Sequence, residues 1–408
     1  MLNHVRNLIY LVYTTGMYIA ILGRQPELGA AELERLYGNV TWVTSEAVRI
    51  NSDAIELQRL GGTLKAGKIV HEFTARDFKQ ASQKIAQAFV HDYANFEGKI
   101  TLGISAYGFR VNPRDVQKTG LIIKSRLKDS GVSVRLIPNS DSALATATSH
   151  HNKLGLSDNK IELIVLKAKN DKVVLALSVG AQNITAYAKR DQNRPKRDAF
   201  VGMLPPKLAQ MMINMTGLPL PESSETAPRI LDPFCGTGVI LQEALLMGFS
   251  AYGTDLQDKM VDYTIKNLEW LNETHRFSSK DFTVHQGDAM ETHWQTPIAA
   301  VACESYLGQP FSAPPRPEKL NEVRKNCNHI ITSFLRNIAP QLAPGTPLCI
   351  AVPAWRNQED QFVHLPLIDS LETYGFTQVS IISTHNRRLM YYREDQVVAR
   401  ELLILRKK

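Results

Sequence analysis

Cysteine is scarce in this chain. Cys235, Cys303, Cys327 and Cys349 are the four present in 408 residues, with no CxxC pair and no histidine at metal-ligand spacing. That argues against a disulfide framework and against a zinc site, and it suits a reducing cytoplasm. Long apolar runs are missing too. The stretch Asn7–Tyr13 is too short to span a bilayer and lacks a small-residue cleavage site, so neither a membrane anchor nor a signal peptide is expected. No internal repeat, low-complexity tract or coiled-coil seam is visible, which excludes solenoid and fibrous classes and leaves the oligomeric state open. What is there, 44% hydrophobic and 21% charged residues, is the composition of a globular protein long enough for two or three domains.

The most informative run is Arg229-Ile230-Leu231-Asp232-Pro233-Phe234-Cys235-Gly236-Thr237-Gly238. A short apolar strand meets a tight glycine turn, and Val239–Leu246 then reads as a helix. Such a strand–turn–helix brings main-chain amides close to a bound nucleoside, and glycines admit the ligand where a Cβ would clash. Cys235 reads here as a small packing residue rather than a nucleophile. A second strand, Ser250–Asp255, ends in a carboxylate 23 residues beyond Asp232, where ribose hydroxyls are held in nucleotide-binding sheets. A third, Phe282–Gln286, runs into Gly287-Asp288-Ala289, placing another carboxylate at the same edge to suit an adenine amine. The GxGxxG spacing of dinucleotide sites is absent, so no pyrophosphate position is prepared. Ribose, adenine and no phosphate point to S-adenosylmethionine. The expected cofactor residues are Asp232, Pro233, Phe234, Cys235, Gly236, Thr237, Gly238, Asp255, Leu256, Asp288 and Ala289.

With DPFCGTG, Asp255 and Asp288 in place, the chain resembles amino-directed methyltransferases, and among them the THUMP-domain tRNA (guanosine-10-N2)-methyltransferases. The similarity extends to Lys189-Arg190-Asp191 through Arg194-Pro195, to Gly202–Ala209, and to the opening Tyr18–Gly23 with Pro26-Glu27-Leu28 and Ala31-Glu32-Leu33. It covers most of the chain from Met17 onward and is strongest at the linker and the cofactor loop. Residues 1–16 stand outside it, as an upstream extension or a start assigned too early.

The resemblance implies an α/β fold. A ferredoxin-like domain is expected over 17–95, a THUMP-like RNA-binding domain over 96–185, a basic linker over 186–208, and a Rossmann-like class I methyltransferase domain over 209–408. It implies tRNA as partner, in the cytoplasm, and leaves room for a small activating subunit. The reaction implied is methylation of the N2 amine of a guanosine, at position 10. An adenine-N6 methyltransferase acting on RNA or DNA, or a catalytically inactive tRNA-binding paralogue, stays open.

The departure from the family pattern falls where the target amine docks. The family carries an Asp-Pro-Pro-Tyr type motif after the fourth strand. Here Ala299–Cys303 runs into Glu304-Ser305-Tyr306-Leu307-Gly308-Gln309-Pro310, without the two prolines. An exocyclic amine is a poor nucleophile because its lone pair is delocalised into the ring. An acceptor that holds its N–H lets the nitrogen pyramidalise and face the methyl group in line. Glu304 is the expected acceptor, and Tyr306 is expected to stack on the base or lie beside the sulfonium. The structural alternative is that Glu304 caps the next element while Tyr306 packs inward.

Positive charge is uneven. Net charge is +7, and the windows 186–207 and 114–135 each carry a surplus of four basic residues. Such blocks suit phosphate contacts, and otherwise form solvated helix faces. Arg190, Arg194, Lys196, Arg197, Lys124, Lys128, Arg387 and Arg388 are the expected RNA-contacting residues. Within 114–135, Val116, Gly120, Ile123 and Leu127 recur at helical spacing beneath the charges. The stretch 186–208 reads as a polar, proline-punctuated connector before a helix from Lys207 to Met215.

Overall fold

The structure is a computed structural model that describes residues 16–198, 204–222, 227–276, 281–384 and 388–408. The chain divides into two compact units. Residues 1–26, 39–58 and 63–184 make the first; residues 27–38, 59–62 and 185–408 make the second.

In chain order the elements of the N-terminal half are β1 (Met17–Leu22), α1 (Pro26–Tyr37), β2 (Val40–Thr44), β3 (Ala47–Asn51), β4 (Thr63–Thr74), α2 (Phe78–Tyr93), β5 (Lys99–Tyr107), α3 (Pro113–Asp129), β6 (Ser133–Leu136), α4 (Thr146–His151), β7 (Lys160–Lys167) and β8 (Lys172–Ala181). The eight strands form one sheet in the order β2-β3-β1-β4-β8-β7-β5-β6. The boundary expected at 95/96 therefore falls within a continuous sheet. The 12-residue β4 pairs with β1 on one side and β8 on the other, with a register shift at Ile21/Leu22 in the first ladder and shifts at Ala66/Gly67 and Ile69/His71 in the second. Helix α1 also departs from the expected division, because it folds into the second unit.

Local signals explain the helices. Asn112 caps α3 by accepting from the Asp115 amide at 3.0 Å, with Pro113 in its first turn, and Asp77 caps α2 by accepting from the Gln80 amide at 2.8 Å. Helix α3 buries Val116, Ile123 and Leu127 against β5 and leaves Arg114, Lys118, Lys124, Arg126 and Lys128 exposed. None of these five has an ion-pair partner among the described residues.

The second unit continues with α5 (Ile184–Gln192), α6 (Pro206–Met215), β9 (Arg229–Asp232), α7 (Val239–Leu246), β10 (Ser250–Asp255), α8 (Asp258–His275), β11 (Phe282–Gln286), β12 (Ala300–Glu304), α9 (Pro317–Ile338), β13 (Pro347–Arg356), β14 (Phe362–Val363), β15 (Phe376–Gln378), β16 (Leu389–Tyr391) and β17 (Val398–Lys407). The expected connector is thus partly helical, because α5 occupies its first turns. The sheet runs β11-β10-β9-β12-β13-β17-β15, parallel from β11 to β13 and antiparallel at β17. Near-continuous apolar strands such as Leu348–Val352 fit a sheet covered on both faces. Helix α9 covers one face through Phe334, Leu335 and Ile338. Helices α1 and α6 cover the other, with Leu28, Ala31, Leu208 and Met212 packed on Ala302, Ala351 and Leu402.

Candidate active site

Strand β9 pairs with β10 on one side and β12 on the other, so the chain order reverses at that point. Open α/β sheets bind ligands in the crevice outside the carboxyl ends of their strands at such a switch point. A cavity of about 520 Å³ lies there, bordered by Asp232–Thr237, Asp255–Gln257, Asp288–Met290 and Glu304–Pro310. Its size is that of a small-molecule site.

The glycine loop is held from behind. Gly236 adopts φ +53° and Gly238 φ +82°, backbone that other residues rarely adopt. A Cβ on Gly236 would meet no protein atom closer than 4.0 Å and would stand in open space, whereas one on Gly238 would strike Thr264 Cγ2 at 2.8 Å. Thr264 of α8 donates to the Gly236 carbonyl at 2.8 Å, and the Asn267 amide donates to Thr237 O at 2.9 Å and Lys196 O at 3.0 Å. These two braces are functional residues that the motif reading missed. Their signal was two polar side chains among Met260, Val261, Leu268 and Leu271 on the buried face of α8. Cys235 packs with Leu241, Leu245, Ala251 and Leu268, and burial pushes its thiol pKa well up, as fits a packing residue.

The carboxylates differ in state. Asp255 accepts from the Gly236 and Gln257 amides, each at 2.9 Å; burial raises its pKa and those two bonds lower it. Asp288 accepts from the Met290 amide at 2.9 Å. Burial holds Asp232 well above the usual carboxylate range, against one bond from the Phe234 amide at 3.1 Å. Leu256, 63% exposed, stands at the mouth; Ala289 is buried in the wall. Phe234 lies edge-on to Phe334, 5.2 Å between centroids. The residues can hold a nucleoside cofactor: polar acceptors sit at the ends of β10 and β11, and the missing Gly236 side chain leaves the approach open.

Glu304, at the end of β12, borders the same cavity, and Tyr306 is 42% exposed at its rim rather than packed inward. Burial raises the Glu304 pKa, while Arg400 of β17, bonded to Oε1 through its Nε, lowers it. The Ser305 amide and hydroxyl both donate to Ala351 O at 2.9 Å, which fixes the turn after Glu304.

The expected RNA-contacting residues scatter. Arg190 is committed to the buried Glu243 through Nε at 2.7 Å and Nη2 at 3.1 Å, and stacks on Tyr187 at 4.4 Å. Arg194 is 2% exposed, its guanidinium 3.8 Å from the half-exposed Asp191 carboxylate and otherwise without a hydrogen-bond partner among the described residues. Both are placed as internal cations, Arg190 because the buried Glu243 draws it inward. Lys196 has its main chain tied to Asn267 and its ammonium over the Tyr263 ring; Arg197 is exposed. Arg388 pairs with Glu401 at 2.7 Å, and Arg387 lies outside the described residues. Lys124 and Lys128 belong to the first unit, on the exposed face of α3.

The strand order of the second sheet, with a glycine loop at its switch point and carboxylates closing four adjacent parallel strands, defines a Rossmann-like class I methyltransferase fold. Residues 194–296 match the family model described as UPF0020, RMKL-like methyltransferase domain. The chain is similar to the tRNA (guanine(10)-N2)-dimethyltransferase of Methanothermobacter thermautotrophicus, 33% identical over 192 residues, which are 47% of this chain and 50% of that protein. The enzyme of the same name from Pyrococcus abyssi is 41% identical over 86 residues, 21% of this chain and 22% of its own. The match thus spans about half the length of the first of these relatives, and less of the second. Among solved structures, TrmN from Thermus thermophilus superposes with a TM-score of 0.51 at 15% identity, covering 96% of this chain and 100% of that one, which shows a shared fold.

Proposed function

We propose that this chain transfers a methyl group from S-adenosylmethionine to the exocyclic N2 amine of a guanosine in tRNA, at position 10 as in the names of its relatives. One observation carries the reading: a carboxylate, Glu304, borders the cofactor-sized cavity with one oxygen bound to Arg400 and the other unbonded among the described residues. Asp255, Leu256, Asp288, Ala289 and the Gly236 main chain would hold the cofactor, which supplies an activated methyl group when bound. The rest is positioning by the chain's own residues. Glu304 Oε2 accepts an N–H of the target amine, so that the nitrogen lone pair is freed toward the methyl group. Tyr306 offers an exposed ring for stacking on the splayed base.

The first unit is the proposed tRNA grip, its ferredoxin-like and THUMP-like portions sharing one sheet. The unpaired basic face of α3, with Lys124 and Lys128, suits phosphate contacts. The proposed setting is the cytoplasm, with room for a small activating subunit.

Methyl transfer from labelled S-adenosylmethionine to unmodified tRNA, followed by nucleoside analysis, tests the reading. N2-methylguanosine or its dimethyl form is expected. N6-methyladenosine would replace the target base, and no incorporation with cofactor and tRNA both bound would favour the inactive paralogue.

A further inference from the structure

The altered motif at Glu304 raises a physical question. A glutamate carries one more rotatable bond than an aspartate, and a freer carboxylate is a poorer positioning device. The sheet supplies a constraint. On β12, β13 and β17 the side chains alternate between the two faces. Ala302, Cys349, Ala351, Leu402 and Ile404 lie on the α6 face, while Cys303, Ile350, Val352 and Leu403 lie on the α9 face. Glu304 and Arg400 therefore share the α6 face. Register pairs Glu304 with Ala351, and Pro353 with Arg400, so β13 lies between the two charged residues. Two strand spacings and a two-residue offset along β13 separate their Cα atoms by about 11–12 Å. A long guanidinium side chain can cover that distance only over short side chains, which Ala351 and Pro353 provide. Arg400 does so, and is nearly buried in the process.

We propose that Arg400 is a positioning residue for methyl transfer: it clamps Glu304 Oε1 through Nε and so turns Oε2 toward the target amine. The inference rests on the functional reading above. The single bond from Nε arrives in the fixed plane of the guanidinium, whereas the N–H groups of an ammonium rotate freely. The bonded cation also favours the anionic form of Glu304 in a place where burial opposes it. The titratable groups around Glu304 are Arg400 from β17, Asp232 from β9 and Tyr306 from the loop that follows, with the buried Cys303 thiol next to it in the chain but on the other face. Only Arg400 among them is a cation.

The test compares Arg400→Met and Arg400→Lys with the unaltered chain by two readouts. The first is the carbon-13 carboxyl resonance of Glu304, assigned by its loss in Glu304→Gln and titrated with no substrate present. The second is the pH dependence of kcat and KM for methyl transfer to tRNA. In Arg400→Met the resonance should titrate at higher pH. There kcat should fall about tenfold to a hundredfold with cofactor affinity unchanged, and the acidic limb of the profile should move to higher pH. Arg400→Lys should recover the titration and only part of kcat. An unmoved resonance, or a moved one with kcat and its acidic limb unchanged, overturns the inference. If the unaltered chain transfers no methyl to guanosine, the functional reading fails and the positioning role with it, while the titration still reports whether the pair exists.

Discussion

Each unit sinks glutamates against cations, and two of these pairs, one from each unit, are built to opposite ends. In the first unit Lys65 Nζ sits 2.5 Å from Glu162 Oε1 and donates to Leu144 O at 2.6 Å, while the Ser105 hydroxyl donates to the same carboxylate at 2.6 Å. Both side chains are sealed, at 1% and 0% exposure. In the second unit Arg400 and Glu304 keep 9% and 14%, and the glutamate borders a cavity. In the sealed pair the second oxygen, Glu162 Oε2, is shut in without a hydrogen-bond partner among the described residues, and removing Lys65 leaves a charge with nowhere to go. A pair at a cavity holds one oxygen in reserve for a ligand. Burial alone thus does not mark a functional carboxylate; what matters is where its second oxygen looks.

The largest effect should come from breaking the open pair. Glu304→Ala is expected to lower methyl transfer by about 10²- to 10⁴-fold, with the melting temperature shifted little, as measured by single-turnover assay beside a thermal scan. Normal transfer by this variant would remove Glu304 from the mechanism and leave the fold untouched. Breaking the sealed pair should do the reverse. Lys65→Met is expected to cost about 3–5 kcal/mol of stability in a denaturant titration. The double change Lys65→Met with Glu162→Leu should restore most of it, since matched apolar residues replace a buried ion pair well.

Another buried glutamate, one without a paired cation side chain on its carboxylate among the described residues, sharpens the contrast. Glu32 of α1 accepts from the Gly61 and Gly62 amides at 2.9 and 2.8 Å and from the Asn214 amide at 2.7 Å. Burial raises its pKa to about 7, against these bonds and the field of Arg59. Between its unfolded value of 4.5 and about 7 the folded chain holds a proton that the unfolded chain has released. This group's contribution to stability is therefore greatest below 4.5 and is lost as pH rises toward 7. At about 1.4 kcal/mol per unit the loss amounts to about 3 kcal/mol. Glu32→Gln should flatten that slope in denaturant midpoints measured from pH 5 to 7.5. The smallest effect belongs to charges that are not buried at all. Lys124→Ala with Lys128→Ala should weaken tRNA binding several-fold and reduce its salt slope by about 1 to 2, with no change in melting.

The candidate site was readable in outline because its carboxylates are marked locally in the chain. Asp232, Asp255 and Glu304 end short strands, Asp288 stands two residues past another, and the glycine turn adjoins the first of them. What escaped notice depends on partners far along the chain. Arg400 reaches a glutamate 96 positions away, and Thr264 reaches a carbonyl 28 positions away. The visible trace of Arg400 was a charged pair, Arg400-Glu401, breaking an otherwise apolar strand. Arg190 and Arg194 were misleading for the opposite reason. Charge counted along a segment says nothing of which way it faces, and Glu243, the one charged residue of α7, was the sign that a cation would be drawn inward.

Helix α1 carries a consequence for synthesis. Its partner Asn214 follows Glu32 by 182 residues. At about 5–20 residues per second of translation, α1 waits on the order of ten to forty seconds for the helix it will pack on. Through that interval Leu28 and Ala31 have no core to enter, and two of the residues around Glu32, Gly61 and Gly62, have emerged while the third has not. A nascent chain in this state exposes an apolar helix face early and covers it late, which makes α1 the helix a ribosome-associated chaperone has most reason to hold.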